Sequence, residues 1–232
     1  MRVAIMQPYL LPYIGYFQLM SAADRFVVYD NIKYTKQSWI NRNRMASQGR
    51  ESFFTIPLKA GNDSADIAER LVAESFNPAK LLNKFRGAYQ KAPFFSDTFP
   101  LLERVFTHET ENLFSFVFHS LQITAEYLQI ADNLVVSSAV SANHQLKGQD
   151  RVIAICKALG ATEYINPEGG MDLYSRAAFS KEDIELKFLQ SRPLEYQQNR
   201  EPFLPSLSII DVLMFNPRES VTRLIQQHFD YL

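Results

Sequence analysis

The chain carries one cysteine, Cys156, among 232 residues. An intramolecular disulfide and a cysteine metal cluster are thereby excluded, and the usage fits a reducing interior, so a cytoplasmic location is expected. Neither sign of charge is in excess. The 24 basic and 25 acidic side chains leave a formal net charge of −1, which argues against general attraction to nucleic acid or to an anionic membrane. Any anion site must be local. No apolar run approaches the roughly 20 residues that span a bilayer, no internal repeat is visible, and no segment has a disordered composition. The eight glycines form neither a complete GxGxxG fingerprint nor a GxxxxGK[ST] loop, and GxSxG and HExxH are also missing. These gaps weaken the standard dinucleotide, P-loop, serine hydrolase and zincin readings. The four histidines, His108, His119, His144 and His228, show neither metal-ligand spacing nor a paired nucleophile. No metal site is expected and no cofactor is required; only His144, beside QLKGQDR, is a site candidate.

What is present is aromatic: 18 Phe and 11 Tyr, with Phe-rich runs such as LFSFVFHSL read as core. The opening stretch, VAIMQPYLLPYIGYFQLMSAADRFVVYDNIKY, imitates a secretory signal in its order of Arg2, apolar run and small residues. Gln7, Pro8 and Pro12 interrupt that run, and RFVVYD continues the pattern as a strand would. The stretch reads instead as a strand over 3–6, a loop, a helix over 13–23 with Pro12 at its first position, and a strand over 26–30.

Further on, 39–45 and 52–57 read as a hairpin joined by SQGR. Helices are expected over 78–91 and 111–128, the second capped by Thr110, with APFFSDTFP as a break between them. A strand over 133–138, a helix over 149–159 stopped by Gly160, and strands over 163–166 and 184–189 follow. Two helices, 206–215 and 217–229, close the chain. The expected fold class is α/β: a Rossmann-like parallel sheet flanked by helices, with a β-hairpin insertion and a helical C-terminal part. One domain over 1–232 is expected, with a helical sub-part at about 78–130 and C-terminal helices within 206–231.

Ligands of such sheets gather beyond the carboxyl ends of the strands. Gln7, Pro8 and Tyr9 lie at that edge, and Gly15 in the first turn of the following helix either admits a phosphate or permits tight packing. Tyr9, Tyr13 and Tyr16 need hydroxyl partners if buried, which favours a polar pocket beside them. Between residues 31 and 60, six basic side chains (Lys33, Lys36, Arg42, Arg44, Arg50, Lys59) face one acid, Glu51. In a strand over 39–45, Trp39, Asn41 and Asn43 would share one face and Ile40, Arg42 and Arg44 the other. Asp30, at the end of the second strand, suits a ribose hydroxyl, a metal, a substrate amine or a turn cap. Lys147 and Arg151 flank Gly148 at a helix start and could bind phosphate. Asn166 ends a strand before a proline turn, and Gly169 and Gly170 would let backbone amides approach a ligand. Ser208 reads as a helix cap rather than a nucleophile.

The chain resembles the WbqC-like family, through MQPYLLPYIGYFQL, FVVYDNIKYTKQSWINRNRM, RVIAICKALGATEYINPEGGMDLY and FLPSLSIIDVLMFN, blocks that run in order along nearly all of it. The resemblance implies a role in bacterial surface-polysaccharide (O-antigen) biosynthesis, attaching a glycyl or related acyl group to an amino sugar. Two positions depart from it: Asn31 stands where a second acid after Asp30 is expected, and Ser206 stands where Gly is expected. A looser resemblance, to adenylyl-transferring α/β enzymes with HxGH on the opening helix, sets Tyr13 and Tyr16 over the two histidines. It implies a nucleotide-shaped pocket without adenylyl transfer. The expected activity is amide formation between an aminoacyl or acyl group and a nucleotide-linked amino sugar, a phosphate-containing small molecule. Lys33, Arg42 and Arg44 would hold phosphate, Asp30 would act as base or amine anchor, Gln7, Asn41, Asn43 and Tyr13 would donate hydrogen bonds, and Trp39 or Tyr9 would stack on a base. The alternatives are an ATP-using ligase or nucleotidyltransferase, and a non-catalytic nucleotide-sugar-binding or scaffold protein.

Overall fold

The computed structural model describes residues 1–130, 133–198 and 202–232. Strand β1 (Arg2–Met6) leads through α1 (Ile14–Ala22) into β2 (Arg25–Val28). The hairpin follows as β3 (Arg42–Ser47) and β4 (Arg50–Thr55). Its turn residues Gln48 and Gly49 both have positive φ, 49° and 72°, the sign at both central positions that matches the twist of a two-residue hairpin. Three helices come next: α2 (Pro78–Tyr89), α3 (Phe95–Phe106) and α4 (Leu113–Tyr127). The sheet resumes with β5 (Leu134–Val136), α5 (Gly148–Ala158), β6 (Glu163–Pro167), α6 (Arg176–Ser180) and β7 (Glu185–Ser191). Helices α7 (Ile209–Phe215) and α8 (Arg218–Gln227) and a short strand β8 (Phe229–Tyr231) complete the order.

The α/β class expected from the sequence is what the chain adopts. The six-stranded sheet runs β5-β2-β1-β6-β7-β8, parallel except for the antiparallel β7–β8 pair. The chain builds outward from β1 to β5, then returns to the opposite side of β1 for β6 and β7. The strand order therefore reverses between β1 and β6, and the crevice beyond their carboxyl ends is where an open parallel sheet binds ligands.

Period-two alternation sends the strand residues to two separate cores. Ala4, Phe26, Val28 and Ile165 enter one cluster with α1, the hairpin, α2, α3, α4, α7 and α8. Val3, Ile5, Val27 and Tyr164 enter another, against α5 and α6. Fully burying one such side chain is worth about 1.5–3 kcal/mol, so both faces hold the sheet. Helix α1 has apolar side chains nearly all round and is buried accordingly. Its polar member Gln18 is satisfied by the carbonyls of Leu224 and His228, at 3.2 and 2.9 Å.

Some boundaries differ from expectation. Helix α1 begins after Tyr13, so Pro12 precedes the helix. Asn112, rather than Thr110, caps α4 through its side chain, which accepts the Ser115 amide at 2.9 Å. The segment APFFSDTFP is not a break throughout: α3 starts inside it and contains Pro100. Burial of Phe99, Leu102 and Phe106 along one stripe outweighs the lost backbone hydrogen bond. Strand β8 lies where helix was expected.

Candidate functional site

A cavity of about 640 Å³ opens at the reversal point between β1 and β6. Its walls come from the loop after β1 (Gln7, Tyr9, Pro12, Tyr13), the hairpin and its approach (Trp39, Asn43, Arg44), and the end of β6 with the turn beyond it (Asn166, Pro167, Gly169, Gly170, Leu173, Tyr174). Ile5, Met6, Tyr29, Ile32 and Ser206 complete the lining. The opening loop and the cationic hairpin thus meet across open space.

Backbone and carboxamide hydrogen bonds hold these walls together. The Leu10 amide donates to the Trp39 carbonyl at 3.0 Å. Asn43 Nδ2 donates to the carbonyls of Leu10 and Leu11, both at 2.9 Å. Ser208 Oγ donates to the Leu11 carbonyl at 2.7 Å, the Ser208 amide to the Arg44 carbonyl at 3.0 Å, and the Ile209 amide to the Pro12 carbonyl at 2.8 Å. The Tyr16 hydroxyl, inside α1, donates to the Gln7 carbonyl at 2.9 Å. The opening loop is therefore fixed from three directions. It also holds Leu11 at φ 43°, a left-handed conformation that costs a non-glycine residue roughly 1–2 kcal/mol.

The electrostatics are one-sided. Among the described residues Arg44 is the only charged side chain in the wall. Its Nη1 pairs with Glu51 at 2.9 Å, its Nη2 donates to the Ser206 carbonyl at 2.9 Å, and its Nε is buried without a partner. Arg44 lies 5.4 Å from the centre of the Trp39 ring, and Trp39 stacks with Phe53 at 6.4 Å and 11°. The side chain of Gln7 and the hydroxyls of Tyr9, Tyr13 and Tyr29 have no hydrogen-bond partner among the described residues. Burial raises the pKa of all three phenols, with nearby Tyr9 and Glu168 adding to the effect at Tyr13. They stay protonated and available as donors.

Nine of the residues expected at a site from the sequence line this cavity: Gln7, Tyr9, Tyr13, Trp39, Asn43, Arg44, Asn166, Gly169 and Gly170. The others lie elsewhere. Pro8 and Tyr16 are buried behind the wall. Gly15 serves packing: a Cβ there would lie 2.4 Å from Tyr13 Cε2 and 2.6 Å from Ser191 Oγ. Asp30 is buried, and its Oδ1 accepts the Ser138 amide at 2.9 Å, so it caps the turn after β5. Lys33 is exposed and bridges through its backbone to Asp66. Asn41 spends both ends of its carboxamide inside the protein, on the Tyr34 hydroxyl and the Ile56 carbonyl, each at 2.8 Å. Arg42 donates to the Gln37 carbonyl at 2.6 Å and covers the outer aromatic rings. Lys147 is exposed at the start of α5.

The expected sharing of a face by Trp39, Asn41 and Asn43 is corrected. Strand β3 begins only at Arg42, and Gln37, at φ 61°, turns the chain before it. Trp39 consequently joins Arg42, Arg44 and Phe53. Sequence reasoning missed Tyr29, Leu173 and Tyr174 as wall residues. Tyr29 ends RFVVY at a strand's carboxyl edge, which is a usable signal; Leu173 and Tyr174 had none.

His144, the remaining candidate, sits outside the wall. Its Nε2 lies 2.9 Å from the Val140 carbonyl and its Nδ1 3.2 Å from Asn31 Nδ2, so Nε2 carries the proton and Nδ1 accepts. Arg151 donates to the Asn31 side chain at 2.5 Å and covers the Tyr29 ring at 5.2 Å. Asn31, the departure from the expected acid, is thus a bridge between His144 and Arg151. Among the described residues no cluster of His, Cys, Asp or Glu is suited to a metal ion, and no helix is long and apolar enough to cross a membrane.

A mostly parallel α/β sheet with a cavity at its reversal point defines the class of protein. The chain belongs to the WbqC-like protein family, whose model matches residues 7–223. It is 27% identical over 220 residues, covering 93% of each chain, to a protein of Mycobacterium tuberculosis named uncharacterized protein Rv1507c. No solved structure matches the chain.

Proposed function

We propose that the cavity binds a nucleotide-linked amino sugar and that the protein transfers an acyl or aminoacyl group to its amine, in the cytoplasm, for a surface polysaccharide. The observation that carries this reading is the position of Arg44 and Trp39 at the mouth of a reversal-point cavity. A guanidinium suits the diphosphate and an indole suits a base. Phenols and the Gln7 carboxamide supply hydrogen bonds to sugar hydroxyls or to the oxygen of a tetrahedral intermediate. In the reaction the amine nitrogen bonds to the acyl carbon, the bond from that carbon to its activating group breaks, and the amine proton leaves with the departing group. Positioning carries most of the rate in such a site.

One observation favours a second, non-catalytic reading. Among the described lining residues there is no carboxylate and no imidazole, so the wall offers no ordinary general base. The same experiment addresses both. Calorimetric titration with uridine, thymidine and guanosine diphosphate sugars should give binding that falls at least about tenfold in Arg44→Ala and in Trp39→Ala, with Lys147→Ala unchanged. No binding of any nucleotide sugar by folded wild type overturns the proposal. Binding without amide formation from activated acyl donors selects the second reading.

A further inference from the structure

The cavity crosses the end of the sheet, and its two sides differ in chemistry. On the side of α1 and the hairpin stand Tyr9, Tyr13, Trp39 and Arg44, with Tyr9 packed against the larger core. On the side of α5 and α6 stand Ile5, Tyr29 and Tyr174, which belong to or pack against the second core, and Leu173, which is 69% exposed at the rim. The glycine pair Gly169 and Gly170 lies in the same turn as Leu173, and a Cβ at Gly170 would meet Asn166 Nδ2 at 2.1 Å.

The second lobe offers aliphatic surface and aromatic ring, and no carboxylate. Asp172 is exposed and outside the wall. Glu168 is also outside the wall; it lies near Tyr13, and Gln190 donates to it at 2.7 Å. Behind the Tyr29 ring stands the Arg151 guanidinium, at 5.2 Å, with the Asp66 carboxylate interacting with it in turn. An α-ammonium group brought here would lose water without gaining a counter-charge, whereas an alkyl chain would gain burial.

From this asymmetry we infer that the group seated in the second lobe is an uncharged aliphatic acyl group, so that the transferase selects acyl over aminoacyl donors. The inference rests on the proposed function and names the substrate class of the same cavity. The acyl chain lies between Ile5, Leu173 and the Tyr29 and Tyr174 rings, while the nucleotide lies toward Trp39 and Arg44. The Tyr29 hydroxyl in that wall is then a hydrogen-bond donor for the acyl carbonyl.

The test compares product-like probes that differ only at the acyl terminus. N-butyryl and N-glycyl derivatives of uridine, thymidine and guanosine diphosphate-linked amino sugars are titrated calorimetrically into the full chain at pH 7. On the nucleotide that binds, the N-butyryl probe should bind at least about tenfold tighter than the N-glycyl probe. Leu173→Asp, at an exposed position that tolerates substitution, should remove most of that preference, and Arg44→Ala should weaken both probes alike. Equal or tighter binding of the N-glycyl probe, with the Arg44 dependence intact, overturns the acyl assignment and leaves the nucleotide-sugar reading standing. A preference unchanged in Leu173→Asp overturns the placement of the acyl chain in this lobe. Failure of every probe to bind overturns both readings.

Discussion

Asn43 holds Leu11 in place: its carboxamide donates to the Leu11 carbonyl at 2.9 Å while the Leu11 backbone stays at φ 43°. The hairpin thereby enforces a conformation that the opening loop would not keep alone. Asn43→Ala deprives the Leu10 carbonyl of its Asn43 donor and leaves the Leu11 carbonyl with Ser208. The expected cost is about 2–3 kcal/mol, read as a lower urea midpoint. Asn43→Asp should be worse, because a carboxylate would face two carbonyl oxygens.

Gly15→Ala separates stability from ligand contact. Alanine favours helix over glycine by about 1 kcal/mol, which offsets the crowding of its Cβ against Tyr13 and Ser191. The Tyr13 ring can swing outward, so the thermal midpoint should move little. Nucleotide-sugar affinity should fall to the level of Tyr13→Ala. A Gly15→Ala protein that binds like wild type would show that the Tyr13 ring does not need its present position.

Ser206 occupies a left-handed conformation, φ 55°, and its carbonyl accepts Arg44. This explains why the family resemblance leads one to expect glycine at the position. Ser206→Gly relieves the strain while keeping the carbonyl, and should stabilise the protein by up to about 1 kcal/mol. Equilibrium unfolding of the pair measures it.

Asp211 is fully buried and accepts from Tyr89 and Tyr196 at 2.7 Å and from Gln198 at 3.0 Å. Burial raises its pKa above the ordinary 3.8, against the opposing pull of those donors. The folded state then holds the proton more tightly than the unfolded state, so this group's stabilising contribution is complete below 3.8 and is lost as pH rises through the raised value. Subtracting the stability curve of Asp211→Asn from that of wild type should leave a difference that declines with pH over that window. A difference that rises with pH would contradict the raised pKa. Asp211→Ala strands the phenols of Tyr89 and Tyr196 and should cost about 3 kcal/mol at neutral pH.

Legibility in the sequence followed the range of the interactions. The β1-α1-β2 unit, the hairpin and the α5-β6 step were readable because apolar period, glycine stops and turn residues are local signals. Strand alternation does not reach back past Arg42 to Trp39, because a positive φ at Gln37 resets the direction of the chain. Asp30 could not be resolved from sequence, since the amide it caps belongs to Ser138, 108 positions away. Leu173 and Tyr174 enter the cavity wall only because β6 lies beside β1. Pro100 is a local break signal within α3, and tertiary burial overrides it. The candidate site was thus partly visible: its loop, its hairpin and the turn from Asn166 to Gly170 follow from local signals, while Leu173 and Tyr174 depend on sheet order.

Strand β8 lies antiparallel along β7 at one edge of the sheet, and β5, only three residues long, forms the other. A parallel sheet with long bare margins would recruit strands from neighbouring molecules. Here one margin is fenced by the chain's own final strand and the other is too short to template a partner. Removing residues from 229 onward would uncover β7 and turn a self-contained fold into one prone to lateral growth, visible as light scattering before any loss of helix signal.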